Sequence, residues 1–202
     1  MRQMLGAAAA LFGLNAYVVL RLFTVGTYRH MNTVEGLMVG LTRFTAANWG
    51  DLTWLPLYFC GMPFHQVYAP GVPVAAAAVA SLTHWDAIRA YHFTLALLYC
   101  LGPPLLFWVA WRLSGRFWAA WCAGLMWSLV SPSCLLMPSV ALDNGHVLFN
   151  RRLHSIVDWG DGPNAVMLAF AMLAVGAIHA AVTTRRPIAY AGAVASFGIV
   201  ML

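Results

Sequence analysis

The chain has 202 residues, of which 62% are hydrophobic and only 8% charged, with a formal net charge of +5. Soluble domains are roughly half apolar and about a quarter charged. A water-facing globule, a disordered tail and a coiled coil are therefore all excluded for want of polar surface, and the composition is that of a membrane protein. Every one of the 11 cations is arginine. They lie beside apolar runs, where they read as topology signals and head-group contacts rather than as a surface for nucleic acid.

Residues 4–20 are apolar except for Asn15 and are bracketed by Arg2 and Arg21. The run is too long for a signal peptide and no small-residue cleavage pattern follows it, so it reads as a retained first transmembrane helix. From 33 to 47 an apolar pattern interrupted by Glu35 and Arg43 predicts an interfacial helix with Leu37, Leu41 and Phe44 turned to lipid or protein. Residues 48–70 are dense in aromatics and prolines and predict a rigid, non-helical segment in the head-group layer. The alanine- and valine-rich stretch 71–82 is too short to cross and is taken as re-entrant.

Further spans are expected at 91–111, where Pro103 and Pro104 should kink the helix, at 117–137 and at 165–182. An incomplete one follows at 187–202, and the chain is expected to be a piece of a longer one. The expected fold is all-α, a single membrane domain over 1–202. It is a polytopic transmembrane helical bundle with two long extracytoplasmic loops, 23–90 and 138–164, and interfacial or re-entrant helices. With 71–82 not crossing, Arg2, the connection from Arg112 to Arg116 and the Arg185, Arg186 pair share the cytoplasmic side. Glu35, Asp51, Asp86, Asp143, Asp158 and Asp161 then share the other. Within the spans, Asn15, His92 and His179 read as packing or interfacial groups rather than a proton relay.

Glu35 is the first candidate for chemistry. A carboxylate near the exit of the first span sits where low dielectric raises its proton affinity and makes it a competent base. Asn32 would share its helix face, and the alternative is a solvated acid paired with Arg29 or Arg43. The second loop supplies Asp143, Arg151, Arg152 and Asp158. Adjacent arginines outside the membrane oppose the topological preference. An anionic head group or diphosphate would explain them, as would pairing with Asp143 or Asp158. The segment from Asp158 to Gly162 lacks the alternating acids and closing glutamate of an EF-hand. Cys60, Cys100, Cys122 and Cys134 show no metal spacing and read as buried free thiols.

The order Glu35, Trp49-Gly50-Asp51, Trp54-Leu55-Pro56, Gly61-Met62-Pro63-Phe64 and Tyr68-Ala69-Pro70 resembles the N-terminal half of membrane glycosyltransferases of the C superfamily. The first loop of that superfamily's arabinose- and mannose-transferring members similarly reads acid, Gly-Asp-Trp, Pro, Gly-x-Pro-Tyr-Phe, Pro. Trp111-Arg112-Leu113-Ser114-Gly115 and the span closing on Ser131-Pro132 add to the likeness. The chain is more similar still to bacterial multi-span proteins labelled 6-pyruvoyl-tetrahydropterin synthase-related membrane proteins. The resemblance covers residues 1–186.

It implies transfer of a sugar from a polyprenyl-phosphate donor to a lipid, glycan or protein acceptor, on the outer face of a bacterial inner membrane. Glu35 would be the first-loop acid that acts as base or orients the acceptor. Asp143, with Asp158 behind it, would be the assisting second-loop acid, and Arg151 and Arg152 would hold the lipid phosphate. Some members use a divalent metal, and no ligand cluster in this sequence requires one. The chain departs from the pattern in offering Asn32 and Glu35 where two acids are frequent, and in lacking the further spans and C-terminal outer domain. A non-catalytic membrane scaffold or lipid-binding protein of the same fold, and a small transporter, are the alternatives.

Overall fold

The computed structural model describes residues 2–26, 33–56, 60–67 and 70–201. Asn32 and Arg29, expected near Glu35, and Tyr68 and Ala69 of the proline-rich segment lie outside these residues. The fold is all-α. Its order is α1 (Arg2–Val18), α2 (Thr33–Ala47), α3 (Gly71–Thr83), α4 (Ala87–Ser114), α5 (Phe117–Leu129), α6 (Ser133–Leu136), α7 (Pro138–Asn144), α8 (Arg151–Val157), α9 (Gly162–Thr184) and α10 (Pro187–Met201). A minimal antiparallel pair, β1 (Trp54–Leu55) with β2 (Met62–Pro63), folds the proline-rich segment back on itself.

Two helices, α4 with 28 residues and α9 with 23, are long and apolar enough to cross a membrane. At 1.5 Å rise per residue they reach about 42 and about 35 Å, against a hydrocarbon core of about 30 Å. The expected span at 117–137 is not one helix. It stops at Leu129 because Val130 is extended and Pro132 precedes a new short turn, α6. The segment at 71–82 forms α3, about 20 Å long, which doubles back through three residues onto the N-terminal half of α4.

α4 is the central helix, packed by α1, α2, α3, α5 and α9. It starts on the Asp86 side chain, which accepts from the Ile88 N–H at 3.1 Å, and stops at Gly115, whose φ of +67° suits a residue without Cβ. Close approach of its neighbours rests on small residues. A Cβ on Gly124 of α5 would lie 2.7 Å from Leu11, and one on Gly176 of α9 would lie 2.8 Å from Val109. Asn15 ties α1 to α5 through Ser128 at 2.8 Å.

One core cluster wraps the N-terminal half of α4, around Tyr91, Leu95 and Tyr99. A smaller one joins Ala7 and Leu11 to Phe107 and Ala120 at the other end. This packing gathers the acids at one end of the bundle. The acids Glu35, Asp86, Asp143, Asp158 and Asp161 cluster where α1 ends and α4 and α9 begin. Arg2, Arg112 and Arg116 lie at the opposite end, where Gln3 and Ala7 meet Phe117.

Candidate functional site

Glu35 is in the first turn of α2, and only 7% of it is exposed. Its Oε1 contacts Nε2 of His92, one turn into α4 and 1% exposed. The other ring nitrogen, Nδ1, lies 3.2 Å from the carbonyl of Val25. A carbonyl only accepts, so this contact calls for hydrogen on Nδ1, and Nε2 is the nitrogen that faces Glu35.

The pair lines a cavity of about 10 Å³, room for about one water molecule. Leu22 comes from the turn after α1, Tyr91 and Leu95 from α4, and Ile156 and Gly160 from the α8 to α9 corner. The Tyr91 hydroxyl is buried with no partner among the described residues. A Cβ on Gly162 would sit 3.0 Å from that hydroxyl and 2.8 Å from Leu95, so glycine at the start of α9 is what lets the corner close over the pair. Both long polar segments therefore reach Glu35. The second contributes Ile156 and Gly160, and Asp161 is the second-segment acid that acts electrostatically on Tyr91 together with Glu35.

Asp143 and Asp158 line neither this cavity nor the larger one described below. Asp143, at the end of α7, pairs with the Arg151 guanidinium. That hydrogen bond holds the Asp143 carboxyl below the usual carboxylate range. Asp158 lies 2.7 Å from Nδ1 of His154. The Trp159 indole N–H lies 3.2 Å from His154 Nε2, and Asp143 Oδ1 lies 3.4 Å from the same nitrogen. The structure thus brings Asp143 to Arg151 and sets His154 between Asp143 and Asp158. Arg43, an expected partner of Glu35, lies instead 3.8 Å from Asp86.

The adjacent arginines part ways. Arg151 is half-exposed on its acid, whereas Arg152 is 5% exposed inside the bundle. Its Nη2 donates to the Tyr99 carbonyl at 2.8 Å, and its guanidinium lies 4.2 Å from the Tyr99 ring centre and 4.4 Å from that of Trp127. No ion pair to Arg152 occurs among the described residues. Burial lowers its proton affinity, yet guanidinium stays charged. Asn150 sets its position. That side chain accepts from the Arg152 N–H at 2.9 Å to cap α8, and it donates to the Trp127 carbonyl at 2.8 Å and to that of Ser128 at the open end of α5.

A cavity of about 380 Å³ opens beside Arg152, between α8 and the first three turns of α9. Among the described residues no group of three or more His, Cys, Asp or Glu side chains is placed to hold a metal ion. All four cysteines are free. Cys100 and Cys134 are buried as expected, but Cys60 and Cys122 are exposed.

No family model, curated protein or solved structure matches the chain.

The sequence singles out Glu35 and both arginines but not His92 as the partner of Glu35. The two are 57 residues apart, and nothing local to His92 distinguishes it from a packing histidine. Asp161 was visible only as one of six acids. Its place at the corner before Pro163, which starts α9, was the available signal.

Proposed function

We propose that this chain is a multi-pass membrane protein of the bacterial inner membrane that transfers a sugar from a polyprenyl-phosphate donor to a lipid, glycan or protein acceptor, with Glu35 and His92 as its acid–base pair. The observation that carries the reading is that pair, buried at the acid-rich end of the bundle in a water-sized cavity reached by three separate parts of the chain. Two further features support it. The order of first-loop motifs resembles that of glycosyltransferases of the C superfamily. The end with Arg2, Arg112 and Arg116 carries short turns without an acid, and the end with the acids carries the long connections, as the positive-inside preference asks of a bundle with its chemistry outside.

In this scheme the acceptor hydroxyl enters the cavity and gives its proton to the Glu35 carboxylate, which His92 orients. The acceptor oxygen attacks the anomeric carbon, the bond from that carbon to the phosphate oxygen breaks, and the phosphate leaves with the electron pair. Its negative charge is met by guanidinium. A non-catalytic lipid-binding scaffold is the second reading, favoured by the small volume of the cavity and the mutual satisfaction of Glu35 and His92.

Membranes carrying the chain, supplied with labelled polyprenyl-phosphate sugars, test the first reading. Glu35→Gln is expected to reduce transfer by about 100-fold or more. Undiminished transfer removes Glu35 as base. Sidedness is tested with single cysteines at Ser114 and Ser155: impermeant reagent is expected to reach position 155 in intact cells and position 114 only after permeabilisation.

A further inference from the structure

At position 91 of α4 a phenylalanine would fill the core with the same ring, yet the residue is tyrosine. Its side chain is fully buried, and its hydroxyl has no partner among the described residues. A buried hydroxyl that donates to nothing destabilises the fold, so this one calls for an acceptor. Tyr91 lines the water-sized cavity beside Glu35 and His92. The hydroxyl lies 3.0 Å from where a Cβ on Gly162 would fall, and glycine there leaves it unobstructed.

The remaining walls decide what the cavity can hold. Leu22, Leu95 and Ile156 bring apolar side chains that make no hydrogen bond. His92 is committed at both ring nitrogens, Nδ1 toward the Val25 carbonyl and Nε2 toward Glu35, so the ring has no nitrogen left for a metal ion or a further donor. The Glu35 carboxylate differs, because it has about four lone-pair directions and the contact with His92 takes one of them. One unmet donor and one acceptor with capacity to spare therefore face the same space. At about 10 Å³ that space admits a single oxygen-sized ligand. A wholly apolar hole would stay dry, whereas a phenol and a carboxylate supply the two polar partners that hold a buried water.

We propose that the cavity is a binding site for one water molecule, which accepts from the Tyr91 hydroxyl and donates to the Glu35 carboxylate. The water joins Tyr91 to the Glu35–His92 pair and links α4 to α2 a second time, through solvent. Its oxygen lies beside the carboxylate, where a ligand hydroxyl would also sit. The inference concerns occupancy of the cavity and does not depend on sugar transfer.

The test uses the full chain in neutral detergent with no sugar donor, so its outcome is separate from that of the transfer assay. A crystal structure fine enough to show ordered water is expected to place one oxygen peak within hydrogen-bond distance of both the Tyr91 hydroxyl and the Glu35 carboxylate. Tyr91→Phe supplies a sign. If the hydroxyl holds water against Glu35, its loss leaves that water short of a donor, and the unfolding equilibrium constant is expected to rise by about threefold or more. An orphan hydroxyl gives the reverse, because phenylalanine keeps the ring and removes the unmet donor. In Glu35→Met, which has no carboxylate to receive the water, the same change at Tyr91 is expected to lose its effect. If that variant does not fold, the sign in the parent chain and the crystal structure decide. Equal or greater stability of Tyr91→Phe, or a cavity without an oxygen peak, overturns the proposal, and an undiminished effect in folded Glu35→Met overturns Glu35 as the acceptor. Density that continues out of the cavity past Gly160 overturns the water and assigns its place to the hydroxyl of a larger molecule.

Discussion

Arg152 donates to the carbonyl of Tyr99, the one that Pro103 leaves without a helical partner. In an α-helix the N–H of residue 103 would bond the carbonyl of residue 99, and proline has no N–H to give. The guanidinium fills that vacancy from α8, and it reaches the helix backbone because residue 102 is glycine. A Cβ there would lie 2.8 Å from Nη2. The Gly102, Pro103, Pro104 step is therefore a docking notch for Arg152 as well as a weak point in α4.

Gly102→Ala tests the notch. The added methyl forces the guanidinium off the Tyr99 carbonyl, and overpacking of this kind typically costs about 1–3 kcal/mol. The unfolding midpoint in detergent is expected to drop. An unchanged midpoint would mean that the arginine relocates freely.

The Glu35–His92 pair is expected to show strong coupling. Glu35→Gln, His92→Gln and the double variant form a cycle, and directly contacting buried groups couple by roughly 0.5–3 kcal/mol. Each single change is expected to destabilise more than the double change adds to it. Additive losses would show that the two side chains act separately.

Asn150 serves two helices, capping α8 and bonding the last carbonyls of α5. Asn150→Ala removes both roles, and the cap alone is worth about 0.5–2 kcal/mol. Hydrogen exchange is expected to speed up in α8 and at the end of α5 together. Acceleration confined to α8 would leave the link to α5 without weight.

Acid should loosen α7 from α8. The Asp143 carboxyl is held below the usual carboxylate range chiefly by the hydrogen bond from Arg151. A depressed folded-state value contributes stability that is present above the unfolded value and lost as pH falls through the folded one. Exchange protection in α7 is expected to hold at about pH 5 and to fall at lower pH, below the usual carboxylate range. Asp143→Asn is expected to abolish that dependence, and a variant that keeps it would assign the transition to another group.

Much of the chain was legible residue by residue. The apolar pattern with Glu35 and Arg43 as its interruptions gave the bounds of α2, Thr33–Ala47, because amphipathic periodicity is a local property. Length and hydropathy likewise located α4 and α9. The end of α5 was less legible, because the apolar run continues past Leu129 and only the extended backbone at Val130 stops it.

What the sequence determined by itself is that the chain is all-α, where α2, α4 and α9 lie, and that Glu35, Arg151 and Arg152 call for an explanation. Tertiary structure alone decided that Glu35 meets His92, that Arg151 keeps an acid while Arg152 goes inside, and that a proline on α4 frees the carbonyl Arg152 needs. Those partners are 57 residues apart for Glu35 and His92, and 53 for Arg152 and Tyr99. Local propensity carries no information over such separations. The helices must pack before a buried charge can find the group that satisfies it.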